Sequence, residues 1–242
     1  MSRLRGEASP YDAIAELYDP WSRSVVEDVG FYVEEALRAR PPVVELGVGT
    51  GRVAIPVAAA GIPVIGVDSS ARMLAVCRER AELAGVAGTL DLRLGDLLGP
   101  PVDERVELVI CPFRSFLHLE GEDERRAALK AAFELLEPGG RLVFDVFAPG
   151  EDDIEQTHDR WLEREPGIHE RAVWDSERRR LVLSVRGTDA ETTMSLAWVS
   201  PEEWRELLVE TGFDIDAHYG WFDRSRYRGG EDSIWVVRRP GG

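Results

Sequence analysis

Residues 43–51 read Val43-Val44-Glu45-Leu46-Gly47-Val48-Gly49-Thr50-Gly51. This is a short apolar strand running into a turn with a glycine at every second position, and a helix-like stretch from Arg52 to Ala60 follows. The next segment, Ile62-Pro63-Val64-Ile65-Gly66-Val67-Asp68, is a second strand that ends in a carboxylate. Glycines let the backbone approach a ligand closely, and a helix N-terminus offers free N–H groups. A strand-end acid about 20 residues further on is placed to bind a pair of ribose hydroxyls. The unit predicts a nucleoside-type ligand at the mouth of an α/β sheet.

Outward from this unit, strands and helices alternate. The pattern predicts strands at 42–47, 62–68, 89–94, 106–111 and 140–147, and helices at 51–60, 70–84 and 122–136. Ser69-Ser70 caps the helix that carries Met73, and Pro138-Gly139-Gly140 ends the helix before the fifth strand. After Pro149 a polar loop opens with Glu151-Asp152-Asp153, and three stretches then alternate at period two: His169 to Asp175, Arg180 to Arg186 and Thr192 to Val199. A helix from Pro201 to Thr211 and two strands, 213–221 and 233–238, close the chain as an antiparallel pair. The expected fold is α/β, a doubly wound, mostly parallel seven-stranded sheet with an inserted antiparallel meander. Residues 10–19 and 22–39 read as helices. The expected organisation is an N-terminal helical lid over 1–40, a ligand-binding core over 41–149 and 200–242, and a β insert over 150–199. That insert is read as a cap or as a contact in a homo-oligomer.

Composition narrows the partners. At 242 residues the chain makes one domain, or one domain with a cap. The 29 basic and 45 acidic residues leave a net charge of 29 − 45 = −16, which opposes non-specific binding to nucleic acid, so no nucleic-acid partner is expected. A small neutral or cationic substrate suits that charge. The run Arg178-Arg179-Arg180 reads as a solvated hairpin tip. No apolar run reaches the ~20 residues of a membrane span, and from the charged start at Met1-Ser2-Arg3-Leu4-Arg5 no signal peptide is expected. Cytoplasmic residence is the expectation. Cys77 and Cys111 read as buried thiols, and no metal site is expected from His158, His169 and His218 at their spacing.

A dinucleotide site wants Gly-x-Gly-x-x-Gly, whereas this turn is Gly47-x-Gly49-x-Gly51 preceded by Glu45. Further elements stand in register: Asp68, Gly95-Asp96-Leu97 after the third strand, Ile110-Cys111-Pro112-Phe113 at the fourth, and Leu135-Leu136-Glu137-Pro138-Gly139-Gly140 before the fifth. Together they resemble the class I S-adenosylmethionine-dependent methyltransferases across residues 43–147. The resemblance implies S-adenosyl-L-methionine as cofactor and a Rossmann-like methyltransferase fold. It also implies that Asp68 holds both ribose hydroxyls, that Asp96 accepts from the adenine amino group, and that the Leu97 N–H meets the ring. Ser69 and Met73 would pack near the adenosine, Glu45 would organise the turn of Gly47, Gly49, Thr50 and Gly51, and Gly95, Pro112 and Tyr11 would complete the cofactor site.

On the acceptor side, Phe113-Arg114-Ser115-Phe116-Leu117-His118-Leu119 is similar to the segment that faces the acceptor amine in the amino-sugar N,N-dimethyltransferases. There His118 would act on the acceptor, and Tyr18 matches that family's N-terminal tyrosine. The bland alternatives are a helix-start histidine bonded to backbone and tyrosines that pack the lid. Trp198, Trp221 and Tyr219 read either as acceptor-pocket walls or as core. The Cys111-Pro112 order is the reverse of that in cytosine C5 enzymes, and Ile110-Cys111-Pro112-Phe113 lacks the acid or amide of amino-methylating DNA enzymes. The expected reaction is methyl transfer to a small-molecule acceptor, N-directed ahead of O-directed. The alternatives are a tRNA-base methyltransferase and a non-catalytic S-adenosylmethionine-binding module.

Overall fold

The computed structural model describes residues 9–241, so the first eight residues of the expected lid lie outside the described residues. Seven strands form the main sheet: β1 (Val43–Leu46), β2 (Val64–Asp68), β3 (Leu90–Leu94), β4 (Val106–Cys111), β5 (Leu136–Phe147), β10 (Asp214–Tyr219) and β11 (Asp232–Arg238). Four more, β6 (Trp161–Glu165), β7 (Ile168–Asp175), β8 (Arg180–Arg186) and β9 (Glu191–Ala197), form a separate antiparallel sheet. The main sheet runs β10-β11-β5-β4-β1-β2-β3. Its first five strands in sequence are parallel to one another, while β11 is antiparallel to β5 and β10.

Helices α2 (Glu27–Leu37), α3 (Ala54–Ala59), α4 (Ala71–Leu83), α5 (Glu122–Leu135) and α7 (Pro201–Thr211) flank the sheet. Their ends follow local chemistry. The Ser70 hydroxyl accepts from the Met73 N–H to cap α4. Ser200 and Glu203 form a reciprocal capping box at α7, which stops at Gly212 with φ 101°. Phe116, Phe144 and Trp204 are buried on the α5/α7 face, and Phe31, Tyr32 and Leu74 on the α2/α3 face. A third cluster joins Ile14, Tyr18 and Trp21 of the N-terminal segment to Met73 of α4 and to Ile168, Val185 and Met194 of the small sheet. It holds the N-terminal segment between the main sheet and the meander.

The structure departs from the sequence reading in five places. Residues 10–14 are a 3-10 turn capped by Ser9 and Asp12, leading into α1 (Ala15–Trp21). The helix expected from Ser22 begins only at Glu27, with the β-branched pair Val25-Val26 left in the connection. Helix α5 ends at Leu135, and Pro138-Gly139-Gly140 lies within β5: Val106 pairs Leu136 but Leu108 pairs Arg141, so these residues form a bulge and not a helix stop. The polar loop after Pro149 folds as α6 (Glu151–Thr157), with its three acids on the positive end of the helix. The meander also has a fourth strand, β6, whose mostly exposed side chains leave no alternating signal. The arginine run does occupy the β7–β8 hairpin tip, but Arg178, Arg179 and Arg180 each pair with an acid: Asp175, Glu203 and Glu120.

Both cysteines are buried. Among the described residues no helix is long and apolar enough to cross a membrane.

Candidate active site

The chain builds β1, β2 and β3 outward in one direction and then returns to place β4 on the other side of β1. Such a reversal leaves a crevice at the carboxyl ends of the two central strands. Two turns meet there, Gly47–Gly51 after β1 and Pro112–Arg114 after β4.

The glycine turn is possible only with glycine. Gly47, Gly49 and Gly51 have φ of 74°, 55° and 83°. A Cβ on Gly47 would lie 2.5 Å from Ser115 Oγ, and one on Gly51 2.7 Å from Cys77 Sγ. The Gly47 and Val48 N–H groups donate to the Val67 carbonyl, which ties the turn to β2.

Asp68, at the end of β2, accepts from the Gly49 N–H through Oδ2 and from the Ser70 N–H through Oδ1, both at 2.8 Å. Burial is the largest influence on its carboxyl and raises its pKa, while these N–H bonds work in the opposite direction. Ser69 is exposed beside it, and buried Met73 reaches the turn, its Cε 3.4 Å from where a Gly49 Cβ would be. Gly95 donates its N–H to the Asp68 carbonyl, and Pro101 leaves no room there for a side chain. Asp96 Oδ1 accepts from the Leu98 and Gly99 N–H groups, and Leu97 packs onto the core.

Glu45 is 2% exposed, and its Oε2 has no hydrogen-bond partner among the described residues. Burial pushes its pKa well above the carboxylate range. The Thr50 hydroxyl donates to Asp19 Oδ1, which also accepts from Arg80 Nη1, latching α1 to the turn.

Across the crevice the Tyr11 hydroxyl is 2.9 Å from His118 Nε2, and the two rings meet edge to face. The tyrosine hydroxyl that reaches His118 is therefore that of Tyr11. Tyr18 packs its ring against Tyr11, Trp21 and Phe113. Burial raises the pKa of its phenol, so it stays neutral. Trp198 packs against Trp174, whereas Tyr219 and Trp221 lie against Phe31 and Phe222 on the α2 side of the sheet. Pro112 accepts from the Ser115 hydroxyl through its carbonyl.

Two pieces of this site are invisible to sequence reasoning. Arg52 donates through both terminal nitrogens to buried Asp28, at 2.6 Å each, and its guanidinium covers the Phe113 ring at 4.5 Å. Asp145, on β5, accepts from the Phe113 and Arg114 N–H groups and from the Tyr32 hydroxyl. Its only signal in the sequence is a lone acid inside the apolar run Leu142–Phe147.

Burial, then the charge of Asp28, raises the Asp145 pKa to about 6. A carboxyl whose folded pKa exceeds its unfolded value near 4 stabilises the fold below pH ~4 and loses that contribution as pH rises through the folded value. The stability of the wild type relative to Asp145→Asn is expected to fall by roughly 2–3 kcal/mol between pH ~4 and ~6.5. Urea unfolding of both proteins across that window checks it; a constant difference would mean that Asp145 does not titrate there.

Residues 43–140 match a family described as a methyltransferase domain. The chain is 26% identical over 144 residues to a putative methyltransferase, YqeM, of Bacillus subtilis, covering 59% of this chain and 54% of that protein. It thus spans about half the length of that relative. Among solved structures it is similar to the CcbJ methyltransferase from Streptomyces caelestis, at 27% identity and a TM-score of 0.80, covering 97% of this chain and 99% of that one. It is also similar to the glycopeptide N-methyltransferase MtfA complexed with S-adenosyl-L-homocysteine, at 25% identity and a TM-score of 0.61, covering 90% and 88%.

Proposed function

We propose that this chain, which belongs to the class I S-adenosylmethionine-dependent methyltransferases, transfers a methyl group to a nitrogen of a small-molecule acceptor bound beside Tyr11 and His118. The residues at the crevice fit the cofactor. Three glycines at positive φ bring bare backbone to the ligand, and the Asp68 carboxylate, oriented by two N–H groups, keeps lone pairs for a ribose diol. Asp96 keeps Oδ2 for the adenine amino group while Oδ1 holds its own loop, and the Leu97 N–H, Ser69, Met73, Gly95 and Pro112 would complete the nucleoside contacts. The orphaned Glu45 oxygen lies directly before the turn. Bound there, S-adenosylmethionine supplies an electrophilic methyl carbon with a neutral thioether as its leaving group.

The protein then has three tasks. It must hold the acceptor nitrogen ~3–3.5 Å from that carbon, exclude water, and remove a proton from the amine. The aromatic wall of Tyr11, Tyr18 and Phe113 serves the first two, since ring faces attract a cationic amine. The Tyr11–His118 pair serves the third, with His118 accepting the proton that an ammonium must shed before its lone pair can attack. The N-terminal segment acts as the lid over the cofactor, and the meander as the cap that selects the acceptor. The observation that carries this reading is the Tyr11–His118 hydrogen bond at the crevice mouth. Its N-direction also draws on the likeness to MtfA, a glycopeptide N-methyltransferase by its description.

A panel of acceptor amines and alcohols, read by release of the demethylated cofactor, tests the reaction: amines are expected to turn over ahead of alcohols. With a reactive amine, His118→Ala should slow single-turnover transfer by roughly 100-fold or more, as removal of a general base does, with S-adenosylhomocysteine affinity retained. An unchanged rate would remove His118 from proton transfer.

A further inference from the structure

The turn after β4 holds two consecutive non-glycine residues in the left-handed region, Phe113 at φ 55° and Arg114 at φ 62°. Side chains disfavour that region by roughly tenfold in population per residue, so two in succession need an external restraint. One carboxylate supplies it. Asp145 Oδ1 accepts from the Phe113 N–H at 2.8 Å and Oδ2 from the Arg114 N–H at 3.0 Å. Asp145 is 5% exposed, so water does not compete for these bonds. The residues that follow inherit the geometry. Leu117 donates its N–H to the Arg114 carbonyl, Ser115 donates its hydroxyl to the Pro112 carbonyl, and the 3-10 turn Ser115–His118 ends with the imidazole against Tyr11.

We propose that Asp145 is a positioning residue, whose buried carboxylate holds Phe113 and Arg114 in the left-handed turn that aims His118 at Tyr11. This rests on the reading that the acceptor binds beside His118, but its test uses no acceptor. Asp145 does not touch the Tyr11–His118 pair; it acts through four residues of backbone. An asparagine would keep the size and lose one acceptor, because its NH2 cannot accept from the Arg114 N–H. The third donor, the Tyr32 hydroxyl, shares Oδ1 with Phe113. Tyr32→Phe therefore removes a partner of Asp145 and leaves both bonds to the turn.

The experiment compares wild type, Asp145→Asn and Tyr32→Phe, each saturated with S-adenosylhomocysteine. It reads the nitrogen NMR resonance of the His118 ring and the exchange rates of the Phe113 and Arg114 amides. The expected result is that Asp145→Asn moves the His118 resonance and speeds exchange at the Arg114 amide by about 10- to 100-fold, the range for losing a hydrogen bond to a buried charge. Tyr32→Phe should leave both near wild type. Arg114→Gly in the Asp145→Asn background should restore the His118 resonance, because glycine adopts the left-handed conformation unaided. An unmoved His118 resonance in Asp145→Asn, or equal movement in Tyr32→Phe, overturns the proposal. Should Asp145→Asn fail to bind S-adenosylhomocysteine, the Arg114→Gly double variant must recover binding, and failure to do so overturns it as well.

Discussion

Replacing Asp68 with alanine is expected to weaken binding of both S-adenosylmethionine and S-adenosylhomocysteine by about 100-fold or more, because two hydrogen bonds to a charged acceptor are lost. The carboxylate fixes the glycine turn through the Gly49 N–H and the start of α4 through the Ser70 N–H, and its remaining lone pairs are the ones proposed to take the ribose. Asp68 is only partly buried, so water can take over the two backbone N–H groups and the fold should survive. Ser70 caps α4 through its own hydroxyl, which does not depend on Asp68. Isothermal calorimetry with S-adenosylhomocysteine, alongside a melting curve without ligand, separates the two effects. Near-normal affinity in a folded variant would show that Asp68 does not hold the ribose.

The largest effect on stability is expected at Arg52. Asp28 is 1% exposed and takes both of its hydrogen bonds from this one guanidinium, which also donates to the Val25 carbonyl. Arg52→Ala strands a buried carboxylate and should cost about 3–5 kcal/mol, the usual penalty for breaking a buried pair from one side. Replacing both partners with leucine should recover most of that loss, since a buried pair and an apolar pair of similar volume differ little. Arg52 also covers Phe113, so Arg52→Ala should loosen the packing of that ring. Urea denaturation of the single and double variants checks this. A loss below about 1 kcal/mol in Arg52→Ala would place the pair in the weak class typical of exposed ion pairs.

What the sequence reveals depends on how far apart the cooperating residues lie. The glycine turn, Asp68 and the Ser70 cap fall within about 25 residues and follow from spacing and local hydrogen bonding alone. The doubly wound, mostly parallel character of the sheet follows from strand and helix alternation. Strand β6 escapes because an edge strand with exposed side chains need not alternate, and the β5 bulge escapes because Pro138-Gly139-Gly140 reads equally well as a helix stop. The acceptor side is harder still. Tyr11 and His118 are 107 positions apart, Tyr32 and Asp145 113, and Arg52 and Asp28 24 with β1 between them. Sequence similarity singled out Tyr18 as the tyrosine facing the acceptor, and the structure adds that the Tyr11 hydroxyl meets His118 while the Tyr18 ring packs against Tyr11. Period and propensity carry no information about which of two nearby rings faces inward.

The donor's sulfur and the acceptor's base are expected to meet at the switch point between β1 and β4. A crystal structure of the protein soaked with S-adenosylhomocysteine tests it directly. The ribose should lie on Asp68, the homocysteine part along Gly47–Gly51, and the sulfur toward the Tyr11–His118 pair. A ligand bound with its sulfur directed away from that pair, or bound elsewhere than the glycine turn, would contradict it.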